Sequence, residues 1–416
     1  MRLVVQKYGG TSVGTAERIC HVAQRILETQ REGCRVVAVV SAMAGVTDEL
    51  LQLGNAVAPQ PTKRELDILL STGEQASAAL TAMAINGLGG TAISLTGAQA
   101  GIVTDGNHTG ARIANISPKQ IQELLADDYV VIVAGFQGQS PEGETTTLGR
   151  GGSDLTAIAL AGALNADTCQ IFTDVDGIFT CDPRIVKDAE KLGEIAYDEL
   201  LEMAGSGAKV MQSRAVEFAK KFGVEFEVRS TFKQAAGTIT REETPSMEDI
   251  LIRGISLDRH QAKLSIAGMR DKPGIAARIF SDVGAAHIIV DMIVQNASIS
   301  GTTDVSFTIH QDELENARKI LMPVVGEIGA KRLNTSSGVA KLSVVGIGMR
   351  SHSGVAARMF ECLGRADINI QLVSTSEIKI AVVIDEKDAE RAARLMHTEF
   401  GLARLMSAAA ATQPLK

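Results

Sequence analysis

A lysine that precedes a group of glycines is the first feature of the chain with clear chemical potential. An apolar stretch, Leu3–Gln6, leads into Lys7, and Gly9, Gly10 and Gly14 follow it. Glycines between a strand and a helix let backbone N–H groups approach an anion closely, and phosphate is the usual anion. The order differs from a Walker A loop, in which the lysine follows the glycines, and from GxGxxG. The stretch therefore indicates phosphate chemistry in an unusual arrangement.

Other polar turns along the chain also carry groups able to bind an anion or a substrate. They are Val40–Asp48 (VSAMAGVTD), Leu70–Glu74 (LSTGE), Leu148–Asp154 (LGRGGSD), Phe172–Arg184 (FTDVDGIFTCDPR) and Gly205–Val210 (GSGAKV). Taken alone, each is explained about as well by helix capping or turn chemistry as by a binding site. Arg150 offers a planar fork that suits a carboxylate or a phosphate. Together the turns favour an anion-rich site for phosphoryl transfer, a reaction that depends on charge neutralisation and positioning.

These turns must be positioned by the elements between them, and residues 1 to 245 alternate between strand-like and helical patterns. The predicted strands include Arg35–Ser41, Ala92–Leu95, Tyr129–Ala134 and Gln170–Thr173. The predicted helices are Glu17–Arg31, Lys63–Asn86, Lys119–Ala126, Leu155–Leu164 and Lys209–Phe222. Such alternation predicts an α/β domain with a largely parallel sheet covered on both faces. Binding sites in such domains lie at the carboxyl ends of the strands, where the glycine turns fall.

Beyond a polar boundary at Arg241–Glu248 the chain repeats itself. The segment from Lys263 (KLSIAGMRDKPGIAARIF) resembles the one from Lys341 (KLSVVGIGMRSHSGVAARMF), and each copy reads strand, turn, helix, strand, strand, helix. The first copy has a candidate last strand at Ile328–Leu333, whereas the second ends in residues unsuited to a strand. We therefore expect Ile250–Ser256 to complete the second copy. The predicted domains are 1–245, 263–335, and 250–257 together with 338–416.

Composition excludes several classes of protein. The chain is 45% hydrophobic, has a net charge of −8 and contains 3% aromatic residues, which disfavours nucleic-acid binding. It lacks a long apolar run, so no membrane span is expected. Five scattered cysteines indicate reduced thiols in a cytoplasmic protein and argue against a zinc site. The seven histidines are dispersed, which disfavours a Ser-His-Asp hydrolase.

The stretches KYGGTSV, SAMAGVTD, STGE, GRGGSD, FTDVDGIFTCDPR and GSGAKV together resemble the aspartokinases of the amino-acid kinase superfamily. The two repeats resemble the ACT domains, of ferredoxin-like α+β fold, that aspartokinases carry, so the resemblance covers essentially the whole chain. The layout is similar to the monofunctional bacterial type that responds to lysine and threonine. This resemblance implies transfer of the γ-phosphoryl group of ATP to the side-chain carboxylate of L-aspartate. The product, 4-phospho-L-aspartate, opens the route to lysine, threonine, methionine and diaminopimelate.

The resemblance also assigns residues to the reaction. Lys7 would neutralise the transferring phosphoryl group, and Asp154 would orient the active-site lysines. The residues expected at aspartate are Ser41, Thr47, Glu74, Arg150, Gly151, Gly152 and Ser153. Those expected at ATP are Lys7, Tyr8, Gly9, Gly10, Thr173, Asp174, Phe179, Arg184, Lys209 and Val210. Mg²⁺ would be held mainly by the ATP phosphates, with no dedicated protein ligands.

ACT domains of this family bind amino-acid effectors at their mutual interfaces, here expected to be L-lysine and L-threonine. The first copy would contribute Met269, Asp271, Lys272, Pro273, Gly274, Ile275, Ile289, Asp291 and Gln295. The second would contribute Val355, Ala356, Asn369, Ile370, Ser376 and Glu377, although its loop lacks the Asp-Lys-Pro sequence. We expect a homo-oligomer, dimer or tetramer, formed through these domains. An internal start at Met247 would yield a separate regulatory subunit.

Two other functions remain open from the residues. The first is a kinase of another carboxylate, such as glutamate or acetylglutamate, against which Ser41, Thr47, Glu74 and Arg150 speak. The second is a non-catalytic amino-acid sensor that keeps the kinase fold as a scaffold. The presence of Lys7, Asp154 and Lys209 disfavours the sensor.

Overall fold

The computed structural model describes residues 1–205, 211–242, 251–297, 301–350 and 354–404. Its contacts divide the described residues into two compact units. The first unit consists of the described residues within Met1–Ile178, Lys191–Ala204 and Lys209–Thr244, and the second of those within Phe179–Glu190, Gly205–Ala208 and Pro245–Lys416. No helix in the described ranges is both long enough and apolar enough to cross a membrane.

The first unit contains twelve strands and seven helices in its described part. The strands are β1 (Arg2–Tyr8), β2 (Cys34–Val40), β3 (Ala92–Leu95), β4 (Ile102–Thr104), β5 (Ile113–Ile116), β6 (Val130–Ala134), β7 (Gln137–Gln139), β8 (Thr145–Thr147), β9 (Thr168–Thr173), β10 (Glu194–Ala196), β11 (Phe226–Ser230) and β12 (Thr238–Arg241). The helices are α1 (Ala16–Arg31), α2 (Val46–Val57), α3 (Lys63–Gly87), α4 (Lys119–Ala126), α5 (Gly152–Leu164), α6 (Tyr197–Gly205, whose last residue groups with the second unit) and α7 (Ser213–Phe222).

An eight-stranded, largely parallel sheet forms the centre of the first unit. Its strand order is β10-β12-β11-β9-β1-β2-β6-β3, and only the pairing of β11 with β12 is antiparallel. The five residues of β6 (VVIVA) are all buried, as are the last five of β1 and of β2. Continuous apolar strands of this kind need cover on both faces. The predicted α/β class with a mostly parallel sheet is confirmed.

Helices supply that cover and fix the strand ends. Buried residues of α1, such as Val22 and Ile26, and of α3, such as Ile85, pack with Val36 and Ile132 of the sheet in one apolar core. Helix α5 is apolar on nearly all sides and buries eleven of its thirteen residues, which suits a helix packed on more than one side. These helices bring the turns at the carboxyl ends of β1, β2, β6 and β9 to one edge of the sheet.

Several parts of the first unit were not predicted, among them strands β10, β11 and β12 and helices α2 and α6. A second, four-stranded sheet, β5-β4-β7-β8, is built from strands of only three or four residues without an alternating apolar pattern. Helix α2 was missed because its first turn was assigned to the polar stretch Val40–Asp48, although the helix carries several leucine and valine residues. The helix predicted at Lys209–Phe222 is observed as α7 from Ser213 onwards, and residues 209 and 210 lie outside the described ranges.

The second unit contains both repeats in one antiparallel sheet. Its strands are β13 (Gly254–Arg270), β14 (Val290–Ala297), β15 (Thr302–His310), β16 (Arg332–Val345), β17 (Leu372–Thr375) and β18 (Lys379–Asp385), in the order β14-β15-β13-β16-β18-β17. Its helices are α8 (Ile275–Ala285), α9 (Leu314–Glu327), α10 (Val355–Arg365) and α11 (Ala389–Glu399). Each repeat follows the predicted order of strand, helix, strand, strand, helix.

The two long strands β13 and β16 connect the repeats. Residues 254–258 of β13 pair with 341–345 of β16, while residues 261–267 pair with 332–339. The strand expected at Ile328–Leu333 begins only at Arg332 and runs without interruption into the first strand of the second repeat. Helices α8 and α9 cover an apolar core around Leu264 and Phe307. Helices α10 and α11 cover another core around Leu342 and Val382.

Candidate active site

A buried ion pair at the centre of the parallel sheet anchors the candidate site. The Lys7 Nζ atom lies 2.7 Å from Asp154 Oδ1, and only 11% of each side chain is exposed. Lys7 is the penultimate residue of β1, and Asp154 lies in the first turn of α5. The amino-terminal end of a helix carries partial positive charge that stabilises a carboxylate there. The pair therefore holds an ammonium group at the carboxyl end of the central strand.

The glycines after Lys7 let the first turn lie close against its neighbours. A methyl group at Gly9 would lie 3.4 Å from Lys7 Nζ, and one at Gly10 only 2.7 Å from the carbonyl oxygen of Ala42. Backbone bonds join the turns: Gly9 N–H donates to Phe172 O at 3.2 Å, and Ser41 N–H donates to Tyr8 O at 3.0 Å. The carboxyl ends of β1, β2 and β9 are thus fixed to one another.

Tyr8 occupies a different place from its predicted neighbours at ATP. Its side chain is fully buried, stacks on Phe172 with 4.8 Å between ring centroids and donates its hydroxyl to Gln6. Burial raises the pKa of the Tyr8 phenol, so the ring is a neutral part of the core. Only the backbone of Tyr8 is therefore available to a nucleotide.

Glu74 presents a buried carboxylate with one unused oxygen. It lies on α3 with 4% of its surface exposed, and Oε1 accepts the Ala42 N–H at 3.1 Å. Its Oε2 atom has no hydrogen-bond partner among the described residues. Burial raises the pKa of Glu74 to about 7, although backbone hydrogen bonds act in the opposite direction. An unsatisfied buried oxygen is costly, so this atom suits a ligand donor such as an ammonium group.

Arg150 and the glycines after it form the opposite wall of the site. The Arg150 side chain is 92% exposed and makes one long contact, 3.4 Å from Nη2 to Asp48 Oδ1. Gly151 has φ +72° and precedes α5, and a methyl group there would lie 2.5 Å from Cβ of Gln212. Gly152 begins α5, and Ser153 beside Asp154 is buried. The guanidinium group is therefore accessible on a backbone whose conformation is tightly defined.

The remaining predicted aspartate residues lie in the turn after β2. Ser41 is half-buried directly after the strand, and Thr47 is half-buried in the first turn of α2. Gly45, with φ +88°, forms the bend between them. The contact of Asp48 with Arg150 brings this turn next to the turn that precedes α5.

The predicted ATP residues fall in three places. Thr173 ends β9 in the first unit and Asp174 follows it, and the Thr173 hydroxyl donates to Asp174 Oδ1 at 3.2 Å. Phe179 and Arg184 belong to the second unit, and Arg184 pairs there with Asp182. Lys209 and Val210 lie outside the described residues.

The effector residues predicted in the first repeat surround the start of α8 and strand β14. Buried Met269 lies near the end of β13, and the exposed residues Asp271, Lys272, Pro273 and Gly274 lead to Ile275, the first residue of α8. Ile289 precedes β14 and is 85% exposed, while Asp291 and Gln295 lie on this strand.

Asp291 is already paired inside the second unit. Its carboxylate accepts a hydrogen bond from Lys341, a lysine that is 2% exposed. Burial acts to raise the pKa of Asp291, but the Lys341 ammonium outweighs it and holds that pKa below its usual value. Lys341 was not predicted as a site residue. The repeat offered a usable signal, because Lys341 is equivalent to Lys263. Lys263 also bonds with a polar side chain, since it donates to Gln371 at 2.7 Å.

A cavity of about 520 Å³ brings together four of the predicted effector residues of the second repeat. Val355 and Ala356 at the start of α10 line it, and Ser376 and Glu377 after β17 complete it. Asn369 and Ile370 precede β17 and are not among its lining residues.

Metal binding by side chains alone finds no support in the described ranges. They contain no group of three or more His, Cys, Asp or Glu side chains arranged to hold a metal ion.

Comparison with known proteins assigns the family. Residues 2–230 match the amino acid kinase family, and residues 264–322 and 342–400 each match the ACT domain. An aspartate kinase of Stutzerimonas stutzeri is 51% identical over 403 residues, which span 97% of this chain and 98% of the relative. An aspartokinase of Pseudomonas aeruginosa is 51% identical over 404 residues, with the same two shares. The chain belongs to the aspartokinase family.

Solved structures agree with this assignment. The structure of E. coli aspartokinase III in complex with aspartate and ADP is 26% identical, has a TM-score of 0.81 and covers 95% of this chain and 99% of its own. The same enzyme in complex with lysine and aspartate gives a TM-score of 0.75 at 26% identity, with shares of 96% and 99%. As an aspartokinase, the chain is an aspartate kinase that uses ATP, and the predicted kinase with two ACT domains is confirmed.

The buried carboxylate of Glu74 predicts how this aspartokinase depends on pH. Only the ionised form attracts an ammonium group, and a pKa of about 7 means that ionisation is lost as the pH falls through that value. Between pH 8 and pH 6 we expect the KM for aspartate to rise about tenfold as the ionised fraction falls. Steady-state kinetics at saturating ATP measure this KM at each pH.

The isosteric variant Glu74→Gln provides the control for this pH profile. It keeps the size of the side chain and removes the titrating group, so its KM for aspartate should be higher and nearly flat across the same range. If the variant retains the wild-type profile, the titration belongs to another group.

Proposed function

We propose that the Lys7–Asp154 pair marks the point at which the γ-phosphoryl group of ATP passes to the side-chain carboxylate of L-aspartate. The supporting observation is a shielded ammonium group fixed at 2.7 Å from its carboxylate partner, at the edge of the sheet where the glycine turns meet. The product is 4-phospho-L-aspartate, an acyl phosphate.

Lys7 acts on the charge of the group in transit. In phosphoryl transfer the charge spreads over the three equatorial oxygens, and catalysis consists mainly of positioning and neutralisation. The Lys7 ammonium supplies the positive charge, and the Gly10 N–H supplies a backbone donor. Gly9, whose N–H is bonded to Phe172 O, keeps the space beside Lys7 free of a side chain. Asp154 holds the ammonium in place and does not touch the phosphoryl group.

The chemical step needs no general base. The side-chain carboxylate of aspartate is already ionised at neutral pH, since such groups have pKa values of about 3.9. One of its oxygens forms a bond to the γ-phosphorus while the bond from that phosphorus to the bridging oxygen breaks, and ADP leaves with the electron pair. No covalent phospho-enzyme forms.

Recognition of aspartate divides between the two walls of the site. Glu74 binds the α-ammonium group with its free oxygen, and Arg150 binds a carboxylate with its exposed fork. The residues proposed to complete the pocket are Ser41, Thr47, Gly151, Gly152 and Ser153. The E. coli relative solved with aspartate and ADP supports a shared pocket for both ligands.

We assign nucleotide binding to the backbone after Lys7, to the residues at the end of β9 and to further residues proposed from the sequence alone. They are Tyr8, Gly9, Gly10, Thr173, Asp174, Phe179, Arg184, Lys209 and Val210. Mg²⁺ enters with the ATP phosphates, which supply most of its ligands, and it neutralises charge on the β- and γ-phosphates when bound.

The ACT repeats make the enzyme a feedback-regulated first step of lysine, threonine and methionine synthesis. We assign catalysis to residues 1–245, one ACT domain to 263–335 and the other to 250–257 with 338–416, assembled as a homo-oligomer in the cytoplasm. L-lysine and L-threonine are the proposed effectors. The lysine complex of E. coli aspartokinase III and the cavity at Val355 support this role. Met247, the proposed internal start, lies outside the described residues.

The proposed reaction predicts both the substrate and the product. With ATP and magnesium, L-aspartate should be turned over with a kcat/KM at least about 100-fold above that of L-glutamate or N-acetyl-L-glutamate, since a missing polar contact costs this much or more. Hydroxylamine should trap the acyl phosphate as a hydroxamate. Turnover of another acid in preference to aspartate would favour the rival kinase, and lack of turnover with any acid would favour the sensor.

The proposed regulation predicts inhibition by lysine and threonine that is greater together than the sum of the single effects. Asp291→Asn should raise the inhibitory lysine concentration about tenfold, which corresponds to about 1.4 kcal/mol of coupling free energy, with kcat little changed. Inhibition curves for each effector, alone and combined, measure this. Asp282→Asn, which breaks the surface pair with Arg278 in the same repeat, serves as the control. Equal sensitivity of Asp291→Asn and wild type would remove Asp291 from the effector site.

A further inference from the structure

Asp67 is a buried carboxylate that the reaction as described does not use. It lies on α3, has no exposed surface, and receives its hydrogen bonds from two separate segments. The Thr109 N–H donates to both of its oxygens at 3.0 and 3.1 Å, His108 Nδ1 lies 2.8 Å from Oδ2, and the Thr147 hydroxyl donates to Oδ1. Such a set of donors is what an ionised carboxylate needs in order to be buried.

Thr109 adopts a backbone conformation that requires this support. Its φ is +69°, in the left-handed region that a β-branched residue rarely enters. The conformation is strained and persists only where the surroundings enforce it. The forked hydrogen bond from its N–H to Asp67 is a direct means of enforcement.

The segments held by Asp67 lead directly to Arg150. Thr147 ends β8, three residues before Arg150, and its carbonyl accepts the Ala111 N–H at 2.9 Å. A methyl group at Gly149, the residue before Arg150, would lie 3.5 Å from the Thr109 carbonyl oxygen. The exposed Arg150 side chain has one long contact, so this backbone is the main constraint on the space that the guanidinium group can reach.

Arg214 and the Nε2 atom of His108 make further contacts that hold the same segments. Arg214 donates to Leu148 O at 2.6 Å and to Ala111 O at 3.0 Å, which joins the two segments that Asp67 holds. His108 Nε2 lies 3.4 Å from Glu144, and Glu144 accepts from Arg64 of α3 at 2.8 Å. The β7–β8 hairpin is therefore tied to α3 through Asp67 and Arg64, and Gln137 of β7 adds hydrogen bonds with Ser71 and Gln75 of the same helix.

Asp67 and Glu74 share one helix. They are seven residues apart, about two helical turns, and therefore lie on the same face of α3. Glu74 offers the oxygen proposed to bind the substrate ammonium, while Asp67 fixes the backbone that carries the arginine proposed to bind a carboxylate. The rigid helix thus sets the separation between these two groups.

We propose that Asp67 is a positioning residue that determines substrate length, and that through Thr109 and Thr147 it fixes Arg150 at the distance from Glu74 that suits aspartate. The inference rests on the proposed roles of Glu74 and Arg150. Glutamate, longer by one methylene group, cannot satisfy both groups at that distance. Loosening the Arg150 turn weakens aspartate binding and relaxes the discrimination, while the ATP side of the site keeps its geometry.

The test compares Asp67→Asn with wild type on both acids. We expect the KM for aspartate to rise at least tenfold, the KM for ATP to stay within about twofold, and the ratio of kcat/KM for aspartate over glutamate to fall about tenfold. In a background of Arg150→Ala, the same substitution should change the KM for aspartate less than twofold, because Asp67 acts through Arg150. The proposal would be overturned if Asp67→Asn raised the KM for aspartate as much in the Arg150→Ala background as in wild type. It would also be overturned if the KM for ATP rose as much as the KM for aspartate.

Neighbouring threonines of β8 supply a matched pair of variants. Thr147→Val removes a hydroxyl that donates to Asp67, whereas Thr146→Val removes one that pairs with Thr104 at 2.6 Å. Both residues are buried, so both variants should lower the thermal unfolding temperature by a similar amount. Only Thr147→Val should raise the KM for aspartate, and equal KM values in the two variants would contradict the role of Asp67.

The design separates failure of this inference from failure of the proposed function. Turnover of aspartate by wild type, together with a higher KM in Arg150→Ala, tests the proposed function alone. If Asp67→Asn does not fold, the comparison of Thr147→Val with Thr146→Val decides the proposal by itself.

Discussion

The ion pair between Lys7 and Asp154 is the interaction on which the active site depends. A lysine at the end of a central strand is shielded from water, and a buried charge without a partner costs several kcal/mol. Asp154 removes that cost from a position where the α5 dipole favours a carboxylate. Its placement requires the left-handed Gly151 and the close approach of Gly152 to Leu148, 2.9 Å for an added methyl group. The sequence GRGGSD therefore positions the carboxylate that pairs with Lys7, and it does so in the absence of any ligand.

The groups proposed to bind aspartate are held less directly. Glu74 carries an unused buried oxygen, Arg150 is almost fully exposed, and the strained Thr109 lies behind Arg150. The unpaired oxygen and the strained backbone each cost free energy: a bound ammonium group would offset the first cost, and the Asp67 carboxylate offsets the second. Helix α3 connects them, because it carries Glu74 on one turn and the anchor of the Arg150 segment two turns earlier. Arg150 is exposed and has few contacts of its own. We infer that the rigid helix α3 constrains its position relative to Glu74.

Sequence patterns predicted the parts of the fold in which burial dictates residue type. Val130–Ala134 is buried throughout and could only be an apolar strand, and the duplicated segments from Lys263 and Lys341 disclosed the repeats. The TTT and QGQ strands escaped prediction because they have no apolar pattern. Helix α2 escaped because its first turn was assigned to the polar stretch Val40–Asp48. Asp67 could not be found, since its partners lie 41, 42 and 80 residues away along the chain. The glycine turns predicted the candidate catalytic edge of the sheet. The hydrogen bonds that support this edge could be identified only from the folded structure.

Asp154 is assigned a role that operates only through Lys7, and a double-mutant cycle on kcat measures this directly. The chains compared are wild type, Lys7→Met, Asp154→Asn and the double variant, all at saturating aspartate and ATP, with circular dichroism to verify folding. If Asp154 serves to hold Lys7, the double variant loses no more than about twofold beyond Lys7→Met alone. If the two losses multiply, Asp154 acts on the reaction independently and the central role of the pair is contradicted.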